Sequence, residues 1–181
     1  MTVLTHAVAR YEESPVLEFQ GNPLIEALPP ILCESDAASL IMNFPPVNEH
    51  ERELDSAVRL HCIDRLRTVV QPLPVHLELE STLSSLIRSG YVGRNPLSPT
   101  TVRHLHSLST SRRTSDGFRS TATTFSLVGL SGIGKSTALE SILRLYPQTV
   151  LHERYGKRQF VQTQITWLKL DCPFDGSLSG L

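Results

Sequence analysis

A short glycine-rich segment constrains this chain more than any other feature. Gly129–Thr137 reads Gly-Leu-Ser-Gly-Ile-Gly-Lys-Ser-Thr and matches the pattern G-x-x-x-x-G-K-[ST] at every fixed position. The β-branched and apolar run Thr124–Val128 precedes it and predicts a buried strand. A helix is predicted after it, because apolar residues recur at helical spacing and a proline follows: Leu139, Ile142, Leu143, Tyr146 and Pro147. Strand, loop and helix together form the context in which this pattern binds phosphate.

The residue types in this segment explain the chemistry that the pattern predicts. Glycine permits positive φ angles and a close approach of the backbone to phosphate, where a side chain would clash. Backbone N–H groups and the helix dipole then attract the anion. We expect Lys135 to contact the β- and γ-phosphates of a bound nucleotide, and Ser136 to ligate Mg²⁺. The predicted nucleotide-binding residues are Gly129, Leu130, Ser131, Gly132, Ile133, Gly134, Lys135, Ser136 and Thr137.

Hydrolysis of the nucleotide requires a second feature, an acidic residue at the end of another apolar strand. Two runs after the loop predict strands, Thr149–His152 and Gln164–Asp171. Asp171 ends an apolar run and is a weak candidate for this carboxylate; instead it could cap a loop or approach the site indirectly. No paired Asp-Glu motif follows before Leu181, so the sequence leaves catalysis unassigned and predicts a domain cut short.

The charge of the chain is unevenly distributed. The formal net charge is -1, yet residues 1–55 contain ten acidic and two basic residues, so a basic body follows an acidic arm. This asymmetry favours a protein partner for the arm and leaves nucleic acid open for the rest. The sequence has no membrane-length apolar stretch and no secretory signal pattern, and its three cysteines are widely separated. We therefore expect a cytoplasmic protein that does not enter a membrane.

Proline and glycine divide the chain into four predicted regions. Residues 1–48 form a Pro-rich acidic arm, either anchored by Leu24 and Ile25 or disordered. Residues 49–97 form a helical region, with one helix over about 49–70 and a second over about 75–89 that Gly90 caps. Residues 98–123 are a basic Ser/Thr-rich linker, and residues 124–181 begin a P-loop core.

Several segments beyond the loop resemble a known family. These are Asn22-Pro-Leu-Ile-Glu-Ala-Leu-Pro-Pro30, Gly90-Tyr-Val-Gly-Arg-Asn-Pro96, Leu145-Tyr-Pro-Gln-Thr-Val-Leu-His152 and Ile165-Thr-Trp-Leu-Lys-Leu-Asp-Cys-Pro-Phe-Asp-Gly-Ser177. Together with Gly129–Thr137 they make the chain similar, over about residues 20–178, to the N-terminal part of AAA+ ATPases that regulate DNA transposition, of the TnsC and TniB type.

The resemblance implies an α/β fold with a parallel-sheet P-loop core, here incomplete. It implies an ATPase that assembles as a homo-oligomeric ring or filament on DNA and links a target-selector protein to the transposase. It places Tyr91, Val92, Gly93 and Arg94 beside the adenine, although two glycines could also make this segment a structural turn.

The family's second acidic motif, sensor residues and intersubunit arginine lie beyond residue 181, so ATP hydrolysis stays open. Two alternatives remain. One is a small P-loop nucleotide kinase or NTPase that uses Asp171, and the other is a partner-binding remnant without enzymatic activity.

Overall fold

The computed structural model describes residues 5–110 and 123–170. The described residues form a mixed α/β structure, which confirms the predicted class at that level. The helices are α1 (Pro23–Glu26), α2 (Glu34–Ile41), α3 (Ser56–Ile63), α4 (Pro74–Val92), α5 (Pro99–Thr110) and α6 (Lys135–Leu143). The strands are β1 (His6–Val8), β2 (Thr149–Tyr155) and β3 (Arg158–Ile165), and 3-10 turns lie at Leu17–Phe19, Glu49–Glu53 and Asp64–Thr68.

The apolar core lies where α6 packs against α4. Ile142 is fully buried and Ala138 nearly so, and both face Leu79 and Leu83 of α4, with Ile41 of α2 closing the cluster. The helical spacing read from the sequence in both helices therefore marks the buried faces, as predicted. Burial of these side chains holds the start of α6, and with it the glycine-rich loop, against the first half of α4.

Helix α4 is longer than its apolar pattern predicts. It runs from Pro74 to Val92, and its C-cap is Gly93 rather than Gly90. The prediction of a cap at Gly90 was wrong because Gly90 does not adopt positive φ and lies within the helix. Pro74 is the first residue of α4. Proline is favourable at this position, because a backbone N–H there would have no acceptor within the helix.

The long helix predicted over residues 49–70 is absent. A 3-10 turn ends before Asp55, whose carboxylate accepts a hydrogen bond from the N–H of Ala57 at 3.2 Å and starts α3 as a separate helix. A further 3-10 turn follows α3 directly. The apolar residues that predicted a core-facing stripe are instead partly or largely exposed: Leu54, Val58, Leu60, Ile63, Leu66 and Val69.

The sheet has the order β1–β2–β3 and is mixed. β1 pairs parallel to β2 with His6 opposite Thr149, and β2 pairs antiparallel to β3. The strand predicted at Thr149–His152 is confirmed and extends to Tyr155. Gly156 begins the two-residue turn into β3 at φ +57, a conformation that glycine adopts without strain.

The second predicted strand, over 164–171, was misplaced. β3 ends at Ile165, and residues 166–170 are not in a strand. Burial along β3 does not follow its apolar residues, because Gln164 is buried while Val161 and Ile165 are exposed. A search for alternating apolar residues therefore misses most of this strand.

The strand predicted immediately before the loop is also absent. Residues 123–130 form no strand and are exposed, including Phe125 at 43% and Val128 at 89%. Both edges of β2, the first strand after α6, are already occupied by β1 and β3. The segment therefore has no neighbour there to satisfy its backbone hydrogen bonds. The predicted parallel sheet is replaced, among the described residues, by a three-stranded mixed sheet.

The N-terminal arm is anchored as the sequence predicts. Leu24 and Ile25 are 5% and 4% exposed, so the disordered alternative is wrong for this part of the arm. Asn22 caps α1 by accepting a hydrogen bond from the N–H of Leu24 at 3.1 Å. Its amide nitrogen donates to the carbonyl of Tyr91 at 2.8 Å, which ties the arm to the end of α4.

Candidate functional site

The glycine-rich loop ends where α6 begins, and its backbone has the shape that glycine permits. Gly132 and Gly134 have φ of +80 and +93, and Gly134 is the N-cap of α6. Gly129 does not adopt positive φ. A Cβ at Gly129 would lie 3.4 Å from Ile133 Cγ2 and 3.6 Å from Lys135 Cδ. These are ordinary van der Waals distances, so the space around Gly129 does not exclude a small side chain.

The start of α6 offers backbone donors to an anion. The first helical hydrogen bond is made by the N–H of Ala138 to the carbonyl of Gly134 at 2.9 Å. The N–H groups of Lys135, Ser136 and Thr137 precede it and therefore have no acceptor within the helix. The side chains of Ser136 and Thr137 are exposed beside them. This end of α6 therefore has the free donors and the positive dipole that phosphate requires.

Lys135 is folded back onto its own loop. Its Nζ donates to the carbonyl of Gly129 at 2.8 Å and to that of Leu130 at 2.7 Å. The ammonium therefore lies against the backbone carbonyls at the start of the loop. Contact with a phosphate requires only that the flexible side chain exchange two carbonyl partners for phosphate oxygens.

An apolar slot of about 180 Å³ adjoins the loop. One wall is the start of α4 with Val75, His76 and Leu79, and the other is formed by Leu127 and Val128. The glycine-rich loop forms its floor through Gly129, Gly134 and Lys135. We call this cavity the base slot. It lies directly beside the atoms that would hold phosphate.

The segment predicted to lie beside the adenine is far from this loop. Tyr91, Val92, Gly93 and Arg94 lie at the C-terminal end of α4, whereas the base slot touches its first turn. Tyr91 lies sixteen positions after Val75, about 24 Å along the helix axis. The Tyr91 hydroxyl donates to the carbonyl of Ile165 at 2.8 Å. The structure therefore does not bring the two predicted parts of the nucleotide site together.

Asp171, the candidate carboxylate, lies outside the described residues, as does the rest of the segment 171–178. The residues just before it run back along α6. Trp167 donates from Nε1 to the carbonyl of Tyr146 at 3.1 Å, and the Lys169 ammonium lies 2.6 Å from the Glu140 carboxylate. The ion pair lowers the pKa of Glu140, chiefly through the hydrogen bond from Lys169.

Buried polar residues that the sequence did not single out hold these elements in place. Glu80 of α4 is 3% exposed and accepts a hydrogen bond from the Tyr146 hydroxyl at 2.8 Å. Burial raises the pKa of that hydroxyl, so it remains a donor. Arg88, also 3% exposed, donates to the carbonyl of Ser84 at 3.2 Å. The sequence shows only that charged residues, Glu80 and Arg88, lie next to apolar residues of α4. That spacing does not by itself predict that they are buried.

A second buried network joins the arm to the hairpin. His152 is fully buried, and its Nε2 is 2.9 Å from Oε1 of Gln164, whose amide nitrogen donates to the carbonyl of Leu24. The Tyr11 hydroxyl is 2.8 Å from Nδ1 of His152. Since the Gln164 oxygen can only accept, the proton of a neutral His152 is on Nε2 and Tyr11 donates to Nδ1. Burial lowers the pKa of His152, which favours this neutral form.

A carboxylate of α1 completes the contact with the hairpin. Glu26 is 9% exposed and accepts from the Tyr155 hydroxyl at 2.6 Å and from the N–H of Gly21 at 2.7 Å. Burial and the neighbouring Glu26 carboxylate raise the pKa of Tyr155 to about 12. Both networks stabilise the scaffold, and neither adjoins the glycine-rich loop.

No protein-family model and no curated protein matches the chain. In the described ranges 5–110 and 123–170, none of the helices combines the length and apolar character that crossing a membrane requires.

Proposed function

We propose that this protein binds ATP together with Mg²⁺ through Gly129–Thr137, as the regulatory ATPases of DNA transposition do. One observation carries the proposal: the P-loop pattern is complete, and its last glycine, Gly134, has positive φ and caps a helix of nine residues, α6. The free N–H groups at the start of that helix are the donors that such a loop uses for phosphate. The proposal covers binding and leaves hydrolysis aside.

The residues of the loop fit an Mg²⁺-bound triphosphate. Backbone N–H groups of Lys135, Ser136 and Thr137 would hold phosphate oxygens, and the exposed Ser136 hydroxyl would be a ligand of the metal ion. The Lys135 ammonium would leave the carbonyls of Gly129 and Leu130 for the phosphates. The bound Mg²⁺ would neutralise phosphate charge. This chain's own contribution is to bind and orient the triphosphate.

The role in DNA transposition rests on the resemblance described above. In that proposal the bound nucleotide sets the assembly state of the protein, which contacts DNA, a target-selector protein and the transposase. The acidic arm, of which residues 23–41 pack α1 and α2 against α4, would present its exposed carboxylates to a protein partner. Glu34 and Asp36 at the start of α2 are exposed and have no partner among the described residues.

Titration with a fluorescent ATP analogue tests the proposal. We expect Lys135→Gln to weaken binding at least tenfold, because a hydrogen bond to a charged group contributes about 1.5–3 kcal/mol. Lys157→Gln is the matched control, since Lys157 is an exposed lysine in the hairpin turn between β2 and β3. Ser136→Ala should reduce the dependence of affinity on Mg²⁺.

Equal affinity of the wild type, the Lys135→Gln variant and the Lys157→Gln variant would refute a phosphate site in this loop. Loss of binding in both lysine variants would also contradict it, because a general loss of positive charge would then suffice.

A further inference from the structure

We infer that the base slot, formed by the first turn of α4 and the segment 127–129, holds the purine ring of the bound nucleotide. This inference rests on the proposed function and gives its site a second half. It replaces the predicted role of residues 91–94, which lie at the other end of α4.

The slot is continuous with the glycine-rich loop. The slot and the loop share Gly129, Gly134 and Lys135, so a ring in the slot and phosphates on the loop belong to one continuous site. Residues 91–94 are about 24 Å away along α4, farther than a nucleoside triphosphate reaches when its phosphates contact Lys135. Among the two candidate positions for the base, only the slot is compatible with phosphate at the loop.

The volume of the slot limits which part of a nucleotide it can hold. Its volume of about 180 Å³ lies below the ~300 Å³ at which pockets begin to hold a whole small-molecule ligand. It therefore suits a flat ring system alone, with the sugar and phosphates lying outside it on the exposed loop. The exposed fractions of Leu130 and Ile133, 80% and 66%, leave that path open.

The lining of the slot suits an aromatic ring. Both segments that line the slot contribute apolar side chains: Leu73, Val75 and Leu79 from one, and Leu127 and Val128 from the other. Such walls bury the two faces of an aromatic ring, while polar groups at the edge provide orientation. Val75 and Val128 are 52% and 89% exposed, so a ring between them would remove apolar surface of this protein from water.

His76 supplies the polar edge. Its Nδ1 accepts the hydrogen bond from the N–H of Leu73 at 3.1 Å, so in the neutral ring the proton lies on Nε2. His76 also lines the slot, and in the proposed complex this N–H would be the donor to the ring. The unprotonated ring nitrogens of a purine are acceptors and would pair with it. The contact between Leu73 and His76 also holds the imidazole at the start of α4.

Filling the slot separates this inference from the proposed function. We would measure, by calorimetry, the affinity of the full chain for MgATP and for inorganic tripolyphosphate with Mg²⁺. Val75→Phe should weaken MgATP binding at least tenfold and change the tripolyphosphate affinity less than twofold. Val58→Phe is the matched control, because Val58 is 47% exposed on α3 and does not line the slot. It should change neither affinity.

Val128→Phe fills the slot from the opposite wall and guards against a folding defect, since Val128 is 89% exposed. It should reproduce the selective loss of MgATP binding. Unchanged MgATP affinity in both slot variants, or equal losses for both ligands, would overturn the base slot and leave the phosphate site standing. A selective loss of MgATP binding in Tyr91→Ala would overturn it as well. Failure of the wild type to bind either ligand would instead remove the proposed function, and this inference with it.

Discussion

Replacement of Ile142 by alanine tests whether α6 is packed against α4, the contact that positions the glycine-rich loop. Ile142 is fully buried between Leu79, Leu83 and Ile41. The substitution removes three carbon atoms, and each buried CH₂ contributes about 0.8 kcal/mol, so the transfer component alone is about 2.4 kcal/mol. The cavity that remains adds to this, and the whole loss should fall within about 2–5 kcal/mol.

Urea unfolding followed by the fluorescence of Trp167 measures this loss. Trp167 is the single tryptophan, and its Nε1 is bonded to the carbonyl of Tyr146 just after α6, so unfolding changes its surroundings. The matched control is Ile63→Ala, which removes the same atoms from another helix at a residue that is 55% exposed. We expect its unfolding free energy to change by less than about 1 kcal/mol.

Two results would refute this reasoning. Equal losses in Ile142→Ala and Ile63→Ala would mean that the packing of α6 on α4 contributes nothing particular. A loss in Ile142→Ala below about 1 kcal/mol would place Ile142 outside a close-packed core.

Two further predictions concern the buried polar residues. Burial lowers the native pKa of His152, so the unfolded state binds more protons and stability should fall below pH ~6.5, by up to about 1.4 kcal/mol per pH unit until the native pKa is reached. His152→Gln should remove this slope in urea titrations at pH 7.5 and 5.5, and equal slopes in both proteins would contradict it. Asn22→Ala should cost about 1–3 kcal/mol, because it removes the cap of α1 and the donor to the Tyr91 carbonyl. Asn22→Ser keeps a side-chain oxygen that can cap α1 and loses the donor, so it should unfold at an intermediate urea concentration, and a Ser variant as unstable as the Ala variant would assign the whole effect to the donor.

Local sequence patterns correctly predicted those elements in which the regularly spaced apolar residues are also the buried ones. The apolar spacing in α4 and α6 identified Leu79, Leu83 and Ile142 as buried, and Asn-Pro followed by Leu24 and Ile25 identified the anchor of the arm. The predicted helix over 49–70 failed because a cap at Asp55 interrupts it and because, within residues 5–110 and 123–170, no other element covers its apolar side chains. Propensity and periodicity do not show whether a neighbour is present.

Strand pairing was the part of the fold that local patterns described least well. Thr124–Val128 has the composition of a buried strand but stays exposed and unpaired, while the polar and irregular sequence of β3 forms a ladder with β2. Pairing depends on which edges are free, and β1, from the far end of the chain, occupies one edge of β2. Register between residues 143 positions apart leaves no trace in a window of ten residues.

One part of the candidate site could be predicted from the sequence, and another part could not. The order of residues in Gly129–Thr137 was sufficient to predict a phosphate loop, because the donors are backbone groups and the glycines and lysine lie in one continuous stretch. Only the tertiary structure placed Val75 and His76 beside that loop and moved Tyr91 to the distant end of the same helix. A cavity between two elements arises from their packing, and packing is a property of the folded chain.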